Sequence, residues 1–274
     1  MAGRGRGPTR RFPWWSASTG GRRGCQASAG VRRPGDRHTH PPAPRPAPCR
    51  PGPALRSRPL HRTRAIGEVR GLLAARGFAV PDRPKVRLRT LADVLAYAQA
   101  EGVVLRLDAT EVQVRRPASH QGGRRAFVSG KKKQNTIKAT VIADAKGRTL
   151  WAGNLRPGRM HDTTAIRGEG IDDLFRQFPK VQVLLDDGYL GLRRDHPGQA
   201  VTPPRKPNKI AAPEVHEARE QARHEHSSQR IPVEHALADH KRWKGLARWT
   251  HRRDTLPATY LAVAGLVSDR TAAA

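Results

Sequence analysis

Val181-Gln-Val-Leu-Leu-Asp-Asp-Gly-Tyr-Leu-Gly191 is the stretch from which the fold of this chain can be predicted. Five mainly apolar residues lead into two carboxylates, and a Gly-Tyr turn then ends the run. This pattern predicts a buried strand with an acidic residue at its carboxyl end. In α/β folds, ligands bind at that end of the strands, where loops open from a rigid sheet. We therefore expect Asp186 to be functional, with Asp187 as its competitor.

Two further stretches place a carboxylate in an apolar setting. Val103-Val-Leu-Arg-Leu-Asp108 alternates in the way a strand does, and Ile231-Pro-Val-Glu234 has helical character. Three carboxylates on three separate elements indicate a metal site, because like charges are stable side by side only when a cation neutralises them. Oxygen ligands of this type suit Mg²⁺ or Mn²⁺.

Each of these acids also has a simpler interpretation. Asp108 could pair with an arginine at the end of its strand, and Glu234 could be a first-turn acid favoured by the helix dipole. Glu111 is a rival ligand on the strand of Asp108, although an exposed edge position suits it better. Asp187 is expected to face the side of its strand opposite to Asp186.

Four motifs follow one another along the chain, and together they resemble those of a known family. They are Leu107-Asp108-Ala-Thr-Glu111-Val with Ser129-Gly-Lys-Lys-Lys133, Pro157-Gly-Arg-Met-His161-Asp162, Asp-x-Gly-Tyr-x-Gly at 186–191, and Arg230 followed by Glu234 and Lys241. Over residues 65–268 the sequence is similar to the bacterial insertion-sequence DDE transposases, most closely to family five of the insertion sequences. One departure is Ser227, since related families often carry a tyrosine at this place before the arginine.

The resemblance implies an α/β, RNase H-like catalytic domain at residues 103–268, with a mixed sheet and flanking helices. It implies that Asp108, Asp186 and Glu234 are the catalytic residues and bind two divalent cations, Mg²⁺ or Mn²⁺. The reaction would be cleavage of phosphodiester bonds at the ends of a transposable element, followed by joining of those ends to target DNA. The alternative is an inactive or end-blind remnant that only binds DNA through its basic surface.

The charge of the chain agrees with a nucleic-acid partner. A net charge of +29 and a pI of about 11.6 favour a polyanion. The resemblance implies double-stranded DNA, as element end and as target, and a homodimer is one arrangement compatible with it. No apolar run approaches the ~20 residues of a membrane span, and we expect a cytoplasmic protein at the bacterial nucleoid. The residues expected to contact DNA are Lys131, Lys132, Lys133, Lys138, Arg230 and Lys241.

Residues 1–64 differ in composition from the rest of the chain. They hold 15 Arg, 11 Pro and 9 Gly but only one acidic residue, Asp36, and no helical or strand periodicity. Such a tract cannot bury a core and is expected to be disordered. Two interpretations are open, a nucleic-acid-binding tail or a shifted reading frame of GC-rich DNA, and we favour the second because Arg, Pro, Gly and Ala all have GC-rich codons.

The remaining elements are predicted from periodicity and turn residues. Residues 65–102 are expected to be the helical remnant of a DNA-binding region, ending in a helix over 91–100 with Thr90 as its N-cap and Gly102 as its end. A hairpin is predicted at 136–152 and a helix at 163–178 with Asp162 as N-cap. Further predictions are a loop over 192–213, an exposed helical insertion over 214–226, a helix from about Ile231 with Arg230 just outside it, a last helix over 259–267 and a tail at 269–274.

Overall fold

The computed structural model of the protein describes residues 59–117 and 123–273. Its helices are α1 (Pro59–Ala75), α2 (Leu91–Glu101), α3 (Asp162–Arg167), α4 (Ile171–Gln177), α5 (Leu190–Asp195), α6 (Pro213–Arg242), α7 (Lys244–Ala247) and α8 (Leu256–Ala272). Its strands are β1 (Phe78–Val80), β2 (Arg83–Leu88), β3 (Leu105–Val114), β4 (Thr136–Ala143), β5 (Thr149–Ala152), β6 (Arg156–Pro157), β7 (Val183–Leu184), β8 (Ala200–Val201) and β9 (Arg248–Trp249).

A mixed sheet forms the centre of the domain. Its strand order is β5-β4-β3-β7-β8, in which β4 is antiparallel to both of its neighbours, β3 and β5, and β7 is parallel to both β3 and β8. Helix α6 packs on β3 and β4, and α8 packs on β1 and β5. The predicted α/β fold is confirmed, and an antiparallel hairpin that continues into parallel strands is the RNase H-like arrangement.

The central strands are buried, although both carry polar side chains among their apolar ones. Every residue of β4 is buried, and so is most of β3. The predicted hairpin is confirmed as β4 and β5, joined by a turn in which Gly147 has a φ of +76°. A side chain at this position would also lie 2.9 Å from the carbonyl oxygen of Pro232, so glycine lets the hairpin approach α6.

Helix α2 ends where its sequence predicts. The Thr90 side chain accepts a hydrogen bond from the backbone N–H of Asp93, whose carboxylate accepts from Thr90 in return. This reciprocal pair is a capping box. Gly102 follows the helix in the left-handed conformation, with a φ of 66°. Leu91, Val94, Leu95 and Ala98 form the buried face.

The prediction of one helix over 163–178 is wrong. The segment forms two short helices, α3 and α4, separated by a break in which Gly170 has a φ of +84°. The prediction of Asp162 as N-cap is also wrong, since His161 is the N-cap and Asp162 is the first helical residue. The Asp162 carboxylate is therefore available for another partner.

The largest correction concerns α6. A helix is expected from the sequence to begin at about Ile231, because proline is tolerated in a first turn, but α6 runs without interruption from Pro213 through Pro232 to Arg242. The predicted insertion at 214–226 is the first part of this helix, and Arg230 lies within it. The predicted loop at 192–213 contains α5 and β8.

The mixed sheet and the helices packed on it belong to one compact unit, Ala65–Ala274. Helix α1 begins at Pro59, inside the tract expected to be disordered, and the rest of that tract lies outside the described residues. The predicted tail is helical as far as Ala272. Among the described residues, no helix combines the length and the apolar character needed to cross a membrane.

Candidate active site

Strand register places Asp108 and Asp186 side by side. On the neighbouring parallel strands β3 and β7, Arg106 is opposite Leu184. Asp108 and Asp186 each lie two residues further along, so they stand at equal depth beyond the paired segment. Asp186 directly follows the apolar run and is half-buried, whereas Asp187 is exposed. This geometry agrees with the expected register, in which Asp186 faces the site.

Asp108 is held by one backbone contact and one ion pair. Its Oδ1 accepts from the N–H of Ala109 at 2.7 Å, and its Oδ2 lies 3.2 Å from Nη2 of Arg230. The side chains of Asp108 and Arg230 are 18% and 11% exposed. Burial, helped by the charges of Asp186 and Glu234, raises the pKa of Asp108 to about 6, although Arg230 and the Ala109 N–H act to lower it.

Asp186 is the N-cap of a short 3₁₀ turn, Asp187–Tyr189. Its Oδ1 accepts from the N–H of Gly188 at 2.9 Å. Burial raises the pKa of Asp186, Arg230 and the Gly188 N–H lower it, and the charges of Asp162 and Asp187 raise it. One guanidinium, that of Arg230, therefore stabilises the ionised form of both strand carboxylates.

Glu234 and Arg230 approach the strands from α6. They lie four residues apart and so share a face of that helix. Glu234 is exposed, yet it is near enough to Asp108 to raise the pKa of that group. The sequence predicts Arg230 outside the helix and free to reach phosphate, but its guanidinium contacts Asp108. Its Nε is buried without a hydrogen-bond partner among the described residues.

Asp108 and Asp186 are suitable cation ligands, although the side chains around them do not form a complete set of metal ligands. Across residues 59–117 and 123–273, no three His, Cys, Asp or Glu side chains lie close enough together for a ready-made metal site. Asp108 and Asp186 are nevertheless oxygen donors whose ionised forms are disfavoured by burial and by neighbouring negative charge. This donor set suits Mg²⁺ or Mn²⁺, which would supply the neutralisation that one arginine gives only in part.

The predicted DNA-contacting lysines fall into two environments. Lys131, Lys132 and Lys133 are exposed on one loop, whereas Lys138 is buried. Lys241 is half-buried, and burial together with the charge of Lys132 lowers its pKa, while Asp108 raises it. The structure thus places Lys241 within electrostatic range of both Lys132 and Asp108, and it directs Lys138 into the protein.

Glu111 organises the basic loop. Its carboxylate accepts from Ser129 Oγ and from Thr136 Oγ1, each at 3.1 Å, and Ser129 Oγ accepts from the N–H of Lys132. These bonds fix both ends of the loop that carries the three exposed lysines. Glu111 is therefore half-buried and bound to two hydroxyls, which differs from the exposed edge acid that the sequence predicts.

Two supporting contacts have no counterpart in the sequence predictions. Arg106, buried on β3, donates from Nε to the carbonyl oxygen of Gln229 at 2.6 Å and so attaches α6 to the sheet. Lys138 donates to Asp162. The Pro-Gly-x-x-His-Asp motif could have marked Asp162 as more than a helix cap, but an arginine inside a strand gives no signal of the helix carbonyl that it binds.

Comparisons with known proteins identify the family of the chain. Residues 107–268 match the sequence model of a family described as DDE superfamily endonuclease. Over 197 residues the chain is 26% identical to a protein of Microchaete diplosiphon described as the probable transposase for insertion sequence element IS702. The aligned region covers 70% of this chain and 63% of that relative. No solved structure matches the chain.

Proposed function

This chain belongs to the family of DDE superfamily endonucleases, and from this premise we propose that it is an insertion-sequence transposase. It would cleave phosphodiester bonds at the ends of a transposable element and join those ends to target DNA. The observation that carries the proposal is the equal depth of Asp108 and Asp186 on adjacent parallel strands, with Glu234 of α6 close enough for its charge to act on Asp108. These three residues would bind the catalytic cations.

Two divalent cations, when bound, would activate the attacking hydroxyl or water and stabilise the leaving oxygen. The protein's own contribution is positioning and charge. The strands hold Asp108 and Asp186 beside each other, while α6 adds Glu234 and the compensating Arg230. Arg230 favours the ionised form of both aspartates when no cation is bound, which leaves the oxygens ready to serve as ligands.

The DNA would lie across the exposed basic loop next to this site. Lys131, Lys132 and Lys133 are exposed and fixed through Ser129 and Glu111, and the charge of Lys132 acts on Lys241. Lysines neutralise phosphates and release counterions, so binding would weaken as salt rises. Lys138 is left out of this surface because its ammonium is bound within the protein.

The test of the proposal is a Mg²⁺-dependent cleavage assay on DNA duplexes that carry the element's ends. Asp108→Asn and Asp186→Asn should each abolish cleavage and leave non-specific DNA binding unchanged. Asp187→Asn is the matched control, since Asp187 is the exposed neighbour in the same turn. If the wild-type protein binds DNA but never cuts it, the chain is an inactive transposase remnant that only binds DNA. Loss of cleavage in Asp187→Asn alone would mean that Asp187, and not Asp186, is the catalytic aspartate of this turn.

The DNA surface has a test of its own. Alanine at Lys131, Lys132 and Lys133 together should weaken binding to all sequences and flatten the salt dependence, by about one slope unit for each phosphate that is no longer neutralised. Lys180→Ala serves as the control, because Lys180 is exposed and outside the proposed surface. An unchanged salt slope in the triple variant would remove this loop from the DNA surface.

A further inference from the structure

The turn that carries Asp186 is held in place by side chains that are not among the proposed cation ligands. Lys138, on β4, donates from Nζ to the carbonyl oxygen of Met160 at 2.7 Å and to Oδ1 of Asp162 at 2.5 Å. Its side chain is only 9% exposed. This ammonium therefore attaches the start of α3 to the central sheet.

The start of α3 in turn holds Gly188. Thr163 donates from Oγ1 to the carbonyl oxygen of Gly188 at 2.9 Å, while the N–H of Gly188 donates to Oδ1 of Asp186. A Cβ at Gly188 would lie 2.9 Å from that Asp186 oxygen and 3.0 Å from Oδ2 of Asp162. Two carboxylates thus approach the same glycine closely, and a side chain there would displace one of them.

The placing of Asp162 has an electrostatic consequence. The carboxylates of Asp162 and Asp186 lie next to each other, because Oδ2 of Asp162 and Oδ1 of Asp186 both come within 3.0 Å of one point, the Cβ position at Gly188. Lys138 binds the other oxygen of Asp162, Oδ1. Partners behind metal ligands orient those ligands, and they add to the local negative charge when they are carboxylates.

We infer that Lys138, Asp162 and Thr163 form a clamp that positions the Asp186 carboxylate for cation binding. All three are positioning residues rather than ligands. Lys138 fixes α3 to the sheet, Thr163 fixes the carbonyl of the turn, and Asp162 adds negative charge beside Asp186. The clamp rests on the proposed function, because it presumes that Asp186 binds the catalytic cation.

The first experiment measures amide hydrogen exchange across residues 186–190 in metal-free protein. Thr163→Val keeps the shape of the side chain but removes the bond to the Gly188 carbonyl, and Lys138→Met removes the attachment of α3. Both variants should exchange about tenfold faster in this segment. Thr164→Val is the matched control, because Thr164 is the exposed neighbour on the same helix, and it should exchange as the wild type does.

The second experiment measures Mn²⁺ binding by electron paramagnetic resonance, at a temperature where every variant is folded. Asp162→Asn keeps the size of the side chain and should raise the Mn²⁺ dissociation constant about tenfold, as should Thr163→Val. Asp173→Asn, which changes an exposed acid on α4, should leave it unchanged. A loss of stability alone would not change Mn²⁺ affinity in folded protein.

The outcomes separate the clamp from the proposed function. Wild-type exchange in Thr163→Val and Lys138→Met, or wild-type Mn²⁺ affinity in Asp162→Asn and Thr163→Val, would overturn the clamp, even if Asp108→Asn and Asp186→Asn abolish cleavage. If wild-type protein never cleaves DNA, the proposed function fails, while exchange and Mn²⁺ affinity still decide whether the clamp exists. Faster exchange together with weaker Mn²⁺ binding, and no change in the controls, would support the clamp.

Discussion

Two halves of the same helix, α6, differ in nearly every physical respect. In residues 213–229, the outer half, His226 is the one buried side chain, and the rest are exposed or half-buried. In residues 230–242, the inner half, Val233, Ala236, Leu237 and His240 are buried. The inner half also carries Arg230 and Glu234. A continuous helix can therefore be a surface element over one half and part of the core and the candidate site over the other.

The boundary between the halves is fixed by the sheet. Arg106 binds the carbonyl oxygen of Gln229, and the hairpin glycine Gly147 approaches the carbonyl of Pro232. Proline inside a helix removes one backbone hydrogen bond and crowds the preceding turn. The helix nevertheless continues, since packing on β3 and β4 stabilises the turns around this proline. Tertiary contacts therefore decide which part of this helix belongs to the core.

The largest expected effect is on the rate of DNA cleavage, when one glutamate in each half is replaced by glutamine. Glu234→Gln, in the inner half, should reduce DNA cleavage by about a thousandfold or more, since it removes a charge that the proposed mechanism needs. Glu217→Gln, in the outer half, should cleave as the wild type does because that residue is exposed. Single-turnover cleavage rates at saturating Mg²⁺ measure both. Equal rates for the two variants would remove the functional difference between the halves.

Arginine substitutions give the next largest effect, on stability. Arg230→Met leaves Asp108 partly buried and without its ion-pair partner, which should cost about 3 kcal/mol of unfolding free energy. Arg223→Met, in the outer half, should change nothing measurable, because the Arg223 side chain is 58% exposed. Urea denaturation at neutral pH, without divalent cations, is the measurement. A stable Arg230→Met protein would mean that Asp108 is already neutral or solvated.

The elements that carry the candidate site could largely be predicted from the sequence, whereas the contacts between them could not. The apolar runs around Asp108 and Asp186 predict two buried strands, and Thr90 is predicted from the sequence as the N-cap of α2. That the two strands are neighbours, and that Asp93 completes a capping box, is seen only in the structure. At Pro232 the sequence alone predicts a helix start, because local preference contains no information about the sheet packed against it. The bond from Arg106 to Gln229 and the two bonds of Lys138 join residues 22 or more positions apart, and no local pattern encodes such pairs.

A histidine in the inner half should make stability depend on pH. His240 is buried between Thr149 Oγ1, at 3.0 Å, and the hydroxyl of Tyr260, at 3.1 Å. Burial lowers the pKa of His240 from 6.5 to about 4, while the charge of Asp239 opposes that shift. The unfolded chain therefore binds the extra proton first, so this contribution is full above pH 6.5 and is lost as pH falls towards 4.

The expected loss attributable to His240 is about 2 kcal/mol between pH 8 and pH 5. It is obtained as the difference between the stability profiles of wild type and His240→Gln, since other groups titrate in the same range. His224→Gln is the control in the outer half, where the ring is exposed, and its profile should follow that of the wild type. Parallel profiles for wild type and His240→Gln would show that the pKa of this ring is the same in the folded and the unfolded protein, and would overturn the prediction.

Amide hydrogen exchange should distinguish the two halves of α6. Isolated helical segments of this length are marginal in water, and residues 214–225 have few buried side chains to stabilise them. Their amides should exchange at least about a hundredfold faster than those of 233–240.

The smallest expected effect is that of one substitution in the outer half. Glu220 pairs there with Arg219 and Arg223, so Glu220→Ala should speed exchange in this half about twofold. Exchange at 233–240 and DNA cleavage should stay as in the wild type, because packing on the sheet, not these surface pairs, stabilises the inner half. Slow exchange over 214–225, equal to that of 233–240, would mean that a partner covers the outer half in solution.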